Sequence, residues 1–202
     1  MKKLFACCYG ILLIVMQQSN ALTLEEADHQ YLYYYEDALG HLPPQQQTLL
    51  TQGQQFWIQY RELRCQLHES AYKGNINQCK VVLTFRFNNF LKLLRPNQLE
   101  MIRFMHDKIR SDIISFQQSD VNYLGRSFEE NISHRLTDQY TQLYQNIDIK
   151  EQMKLQKSYI VWKSYRNQLC LLLKSRNIID YNYCSAKLSL DIIADMQHYQ
   201  SH

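Results

Sequence analysis

The stretch FWIQYRELRC, residues 56–65, returns as VWKSYRNQLC at residues 161–170, and this recurrence decides the fold. In the first copy Trp57, Tyr60, Arg61, Arg64, Cys65 and His68 follow the i, i+3, i+4, i+7, i+8, i+11 spacing that gathers side chains on one face of a helix. Trp162, Tyr165, Arg166, Leu169 and Cys170 repeat that face at a shift of 105 residues. The same shift pairs Tyr35 with Tyr140, Leu39 with Tyr144, Gln47 with Gln152 and Leu50 with Leu155. In both copies a second cysteine follows 14 residues after the first, at Cys79 and Cys184. Similarity at one fixed offset along the chain marks an internal duplication.

Around this repeat, five glycines and three prolines in 202 residues, with little strict alternation of apolar and polar positions, argue for helices and against a β-sandwich. Thr23 to Glu26, Asn97 to Glu100, Ser127 to Glu130 and Asp148 to Glu151 each set a capping side chain three residues before a glutamate. Pro43 and Pro44 suit a helix start after Gly40. These signals predict helices near 23–40, 44–69, 77–94, 97–118, 127–145, 149–175 and 182–199. The predicted fold is all-α: two disulfide-pinned units of about three helices each, spanning 22–95 and 127–202, joined by a linker helix within 96–126. The basic side of that linker is expected to face either solvent or the acidic first unit.

Residues 1–21 have the layout of a secretory signal peptide: Lys2 and Lys3, an apolar run from Leu4 to Met16, and small residues before a cut after Ala21. The run is short for a membrane span, and a retained signal anchor is the rival reading. Cys7 stands at the start of the apolar core rather than after it, which argues against a lipoprotein. Cleavage removes Cys7 and Cys8 and leaves Cys65, Cys79, Cys170 and Cys184, an even number suited to disulfides in an exported chain. Four cysteines allow three connectivities, and equal spacing in two copies favours Cys65 with Cys79 and Cys170 with Cys184. The formal charge of +3 drops to +1 with the two lysines gone, so bulk attraction to nucleic acid or anionic lipid is not indicated. The charge is unevenly spread. Glu25, Glu26, Asp28, Glu36 and Asp37 precede any cation of the mature chain, whereas Lys80, Arg86, Lys92, Arg95, Arg103, Lys108 and Arg110 crowd one later segment.

Few residues suggest bond-breaking chemistry. His29, His41, His68, His106, His134, His198 and His202 are scattered, with only the last two at a spacing that could clip a metal. There is no GxSxG, glycine-rich phosphate loop or CxxCH, and adjacent Glu36 and Asp37 diverge on a helix, so neither an enzyme nor a cofactor or metal site is expected. Arg61 and Arg166 sit between a tryptophan and a cysteine on a buried face and each needs a carboxylate or several carbonyls. Glu36 or Asp37 is expected to serve Arg61, and Asp138 or Asp148 to serve Arg166. The run Tyr31, Tyr33, Tyr34 and Tyr35 cannot be buried all round one helix, and exposed tyrosines among carboxylates suit a protein-binding surface. Tyr31, Tyr33, Tyr34, Glu36 and Asp37, with Tyr72 and Lys73 in the loop after Cys65, are the candidate partner-binding residues. Asn131-Ile132-Ser133 is a glycosylation sequon of consequence only in a eukaryotic source.

Trp-x-x-Tyr-Arg-x-x-x-Cys, preceded by Tyr35 and Leu39 and followed by Cys79, Thr84 and Arg86, resembles the small exported bacterial domain of the LprI type, whose named function is lysozyme inhibition. The resemblance covers residues 30–94 well and 135–199 less fully. The second copy keeps Trp162, Tyr165, Arg166, Cys170 and Cys184 but has Leu188 and Leu190 where the Thr-x-Arg element is expected. The resemblance implies a periplasmic or secreted helical domain that binds a lysozyme-like cell-wall hydrolase and plugs its cleft, with no membrane insertion after signal cleavage. The alternative is a periplasmic or secreted scaffold, or a virulence-associated interaction protein, that uses the groove between the two units.

Overall fold

The computed structural model describes residues 22–119 and 128–200, and the described residues are helical apart from short connections. The helices are α1 (Leu24–Gly40), α2 (Pro44–Tyr72), α3 (Ile76–Leu93), α4 (Leu99–Ser119), α5 (Phe128–Gln145), α6 (Ile149–Ser175) and α7 (Tyr181–Gln200). The signal segment, with Cys7 and Cys8, lies outside the described residues, as do Ser127, His202 and the side chains of Tyr72 and His198.

Local chemistry explains most boundaries. Thr23 caps α1 with a full capping box, its hydroxyl accepting from the Glu26 N–H while the Glu26 carboxylate accepts from the Thr23 N–H. Pro43 and Pro44 open α2, and Asn75 caps α3 by accepting from the Gln78 N–H. Asp148 caps α6 by accepting from the N–H groups of Lys150 and Glu151. Glu151 does not reach back to the cap; its carboxylate accepts from Ser70 and from Lys154 instead. The expected cap at Asn97 does not form. Asn97 adopts a left-handed φ of 61°, and the Gln98 carbonyl accepts the first helical bond of α4 from Ile102.

α2 and α6 are the spine. Leu50, Gly53, Trp57, Tyr60, Arg64 and Leu67 are buried along α2, and Leu155, Ser158, Trp162, Tyr165, Leu169 and Leu172 along α6. Both series alternate steps of three and four, the seam of a coiled coil, and they match position for position at the shift of 105. The two helices run antiparallel, since Gln46 donates to the Ser175 carbonyl (3.3 Å) at one end and Ser70 donates to Glu151 (2.7 Å) at the other. Those end contacts are each other's equivalents at the same shift, and so are the rings of Tyr60 and Tyr165, stacked at 6.3 Å midway. A pseudo-two-fold axis therefore relates the halves. Gly53 and its counterpart Ser158 keep the seam narrow: a Cβ on Gly53 would stand 3.4 Å from that of Gln168.

α1 and α3 complete the first half and α5 and α7 the second, and one hydrophobic core runs through both. Gln47 donates to the carbonyls of Leu39 and Leu42, and Gln152 to those of Tyr144 and Ile147, so the same amide clips each α-hairpin turn. The disulfides are Cys65–Cys79 and Cys170–Cys184, with Cα atoms 5.6 and 5.5 Å apart, as the equal spacing favoured. Each ties the long helix to the one that follows. α4 packs on α5 and α7 rather than on the acidic α1. Arg103, Lys108 and Arg110 on its basic side are exposed. Asn131 of the sequon is only 6% exposed, which leaves its amide no room for a glycan in this fold.

Candidate functional site

The repeated motif builds the same arginine seat twice. In the first half the Arg61 guanidinium lies 4.9 Å above the Trp57 ring and donates to Asp28 Oδ1 at 2.5 Å and Thr84 Oγ1 at 2.8 Å. Asp28, not Glu36 or Asp37, is thus the partner of Arg61. The physical reason is hairpin register. α1 and α2 run antiparallel about the His41–Pro43 turn, so Leu39 meets Gln47, Tyr35 meets Thr51, Tyr31 meets Trp57, and the first turns of α1 reach Arg61. Glu36 is exposed, and Asp37 pairs with Arg95.

In the second half the Arg166 guanidinium again lies 4.9 Å above tryptophan, here Trp162. It donates to Ser189 Oγ at 3.3 Å and Asn167 Oδ1 at 3.5 Å, and among the described residues no carboxylate pairs with it. Asp148 is spent on the α6 cap and Asp138 lies on the exposed side of α5, so neither expected partner serves. The position equivalent to Asp28 is Ser133. Burial pushes the Arg166 pKa below its ordinary value, with only the Tyr181 and Tyr159 hydroxyls acting in the other direction. The equivalents of Thr84 and Arg86 are Ser189 and Asp191, not Leu188 and Leu190: the hydroxyl that receives the arginine is kept, and the second arginine has become a carboxylate.

The tyrosines of α1 divide by face. Tyr31 is a core residue, 5% exposed, with its ring 4.9 Å from Trp57 and its hydroxyl accepting from Gln54; burial pushes its pKa up to about 12. It is therefore not open to a partner. Tyr35 is half-buried against the Thr51 hydroxyl. Tyr34 lies under the Lys92 ammonium at 4.8 Å, and Tyr33, 58% exposed, meets Tyr34 edge-on. Lys73 ends α2 with a left-handed φ of 53° and projects into solvent.

Chain folding thus consumes much of the charge segregation. α3 lies beside α1, and cations of α3 and the turn after it meet the acidic half at Asp37 with Arg95 and at Tyr34 with Lys92, while Lys80 pairs with Glu62 at 2.7 Å. What stays open on α1 is a strip of Glu25, His29, Leu32, Tyr33 and Glu36, one face at helical spacing. Among the described residues no ion pair engages Glu25 or Glu36.

A second concavity, about 470 Å³, lies between α3, α4 and α7. Phe90, Met101, Phe104 and Met105 give it an apolar floor, with Phe104 70% exposed, and its rim carries Arg86, Lys108 and Lys187, each paired with a carboxylate: Arg86 with Asp195, Lys108 with Asp112, and Lys187 with Asp112 and Asp191. No sequence signal marked this groove, because its walls come from three helices whose mutual placement is tertiary. Among the described residues no group of three or more His, Cys, Asp or Glu is placed to hold a metal ion, and no helix is long and apolar enough to cross a membrane.

Fold and site together define an internally duplicated all-helical module with one disulfide in each half, a construction that points to an oxidising compartment, extracellular or periplasmic. No protein-family model, curated protein or solved structure matches the chain.

Proposed function

We propose that the chain is an exported protein-binding module, cleaved after Ala21, that docks a cationic partner on the outer strip of α1. The partner class we assign is a lysozyme-like cell-wall hydrolase whose cleft the module blocks without bond-breaking of its own. The observation that carries this reading is the pairing of exposed Leu32 (49%) and Tyr33 (58%) with Glu25 and Glu36, carboxylates that form no ion pair among the described residues. An apolar and aromatic centre with an acidic rim suits the basic surface of such hydrolases. The resemblance of the Trp57 to Arg86 motif to LprI-type domains supports the choice of target. A rigid seam behind α1 adds to it, because a pre-ordered surface loses little entropy on docking.

Titration of the mature chain into a cell-wall lysis assay tests this. Inhibition at stoichiometric ratio is expected, with Tyr33→Ala and Glu36→Lys each weakening it at least tenfold. No inhibition by folded protein at micromolar excess removes the hydrolase target. The alternative, a scaffold with no hydrolase target, is favoured by the exposed apolar groove between α3, α4 and α7. Under that reading Phe104→Ala abolishes recovery of a partner by cross-linking, whereas Tyr33→Ala does not.

A further inference from the structure

We infer that the second half holds a carboxylate-binding site at Arg166, in the place where the first half carries its own carboxylate. The argument rests on comparing the two copies of one device within one chain. Arg61 and Arg166 occupy equivalent positions, each over its tryptophan at 4.9 Å and each donating to a hydroxyl, Thr84 in one and Ser189 in the other. The first seat is closed by Asp28 at 2.5 Å. In the second, Ser133 stands where Asp28 would be, and a cleft of about 260 Å³ opens beside the guanidinium. Beside the apolar Ile132 and Ala186, its walls are one cation, Arg166, and the hydrogen-bonding side chains of Ser133, Tyr181, Asn182, Ser185 and Ser189; among the described residues no acidic side chain lines it.

The geometry selects a carboxylate. Arg166 spends its terminal nitrogens on two long contacts, 3.3 and 3.5 Å, where Arg61 makes short ones, so a planar fork of donors remains to be met by two oxygens. Burial against Trp162 holds the fork still and raises the strength of a charge-assisted bond there. The hydroxyls of Ser133 and Ser185 stand ready as further donors. The nearest acidic residue in sequence, Asp180, is engaged at the start of α7, accepting from the Asn182 N–H at 2.8 Å. The cleft is wider than one carboxylate and open to solvent, so the group arrives either on a small free acid or on an aspartate or glutamate side chain of a protein partner.

The test uses the full mature chain and reads the Nε–Hε resonance of Arg166 by NMR. The probes are sodium acetate, the blocked peptide acetyl-Gly-Asp-Gly-amide and inorganic phosphate, each against sodium chloride at equal ionic strength. A saturable shift of the Arg166 signal with acetate or peptide, at concentrations on the order of millimolar, is expected, while Arg61 stays unmoved. Ser133→Asp recreates the closed seat: it should abolish the shift and raise the melting temperature. Arg166→Lys keeps the charge and loses the fork, and should weaken binding at least tenfold. Peptide binding tenfold tighter than acetate assigns the site to a protein side chain; equal or weaker binding assigns it to a small free acid. The inference is overturned by the absence of a saturable shift in the folded protein, by an equal shift in Ser133→Asp, or by phosphate binding as well as the carboxylates do.

Discussion

Removing the disulfide of the second half, as Cys170→Ala with Cys184→Ala, should destabilise the first half equally. The bond closes a loop with a sequence separation of 14, and chain entropy for a loop of about 15 residues gives ~3 kcal/mol lost on its removal. For a chain of this size that lowers the melting temperature by about 6–12 °C. The structure adds a prediction about where the loss is felt. Trp57 and Trp162 sit on α2 and α6, which share one seam and one core, so the halves should unfold as a single unit. The assay is thermal unfolding followed by tryptophan fluorescence in Trp57→Phe and Trp162→Phe backgrounds, each leaving one reporter in one half, with the disulfide present or absent. Both reporters should move by the same amount. A drop confined to the Trp162 reporter, with the Trp57 transition unchanged, would show two independently stable domains and refute the shared seam. The entropy estimate depends on loop length alone, so removing Cys65–Cys79, also separated by 14, should cost about the same.

Other predictions follow from single contacts. Tyr60→Leu and Tyr165→Leu should show a coupling of about 0.5–1.5 kcal/mol in a double-mutant cycle of chemical denaturation, because their rings stack across the pseudo-axis; additive effects would mean the rings contribute only as separate core residues. Arg86 binds both oxygens of Asp195 at 2.8–3.0 Å, yet the arginine side chain is 44% exposed, so Asp195→Asn should cost only about 0.5–1 kcal/mol, less in high salt; a loss that persists in 1 M NaCl would be packing rather than charge. Tyr31 has a folded pKa of about 12 against an ordinary 10.0, so the native state holds its proton longer than the unfolded chain does. Its contribution is complete below pH 10.0 and is lost as pH rises towards 12, and Tyr31→Phe should flatten that part of an alkaline unfolding curve read at Trp57; an unaltered curve would contradict the assignment.

The helices were legible because the evidence for them is local. Caps at Thr23 and Asp148, the two prolines and the 3.6-residue spacing of the motif act within one or two turns. The duplication was legible too, because the seam keeps the same residue at Leu50 and Leu155, Trp57 and Trp162, Tyr60 and Tyr165, and Leu67 and Leu172. Partner choice was not. Adjacent carboxylates make Glu36 and Asp37 the conspicuous choice, although an antiparallel hairpin closing at His41–Pro43 requires Arg61 to meet the beginning of α1, where Asp28 stands. The acidic and basic segments looked like free surfaces because the sequence does not show that α3 lies alongside α1, where Arg95 meets Asp37 and Lys92 covers Tyr34. The burial of Tyr31 is hidden for a related reason: four near-adjacent tyrosines give no clue which one faces Trp57.

Duplication also explains why the halves differ where they do. Around a two-fold axis each residue near the axis meets its own counterpart, and identical copies face a constraint there. A stacked pair such as Tyr60 with Tyr165 satisfies it, since a ring can pack on its own kind. An arginine does not, and two copies of Arg86 beside the axis would place like charges along one small cleft. In this chain the counterpart of Arg86 is Asp191 and that of Phe90 is Asp195, and all four line the cleft between the halves. Burial opposes the charge of Arg86, but the hydrogen bonds and charge of Asp195, with Asp191 behind, outweigh it and raise its pKa. Two units fused in one chain can specialise in this way, whereas a symmetric dimer of either unit cannot. The same freedom extends away from the axis, where the shared seam already fixes both long helices. A carboxylate holds the first arginine, whereas at the second Ser133 takes that place and Arg166 is left with the longer bonds to Ser189 and Asn167.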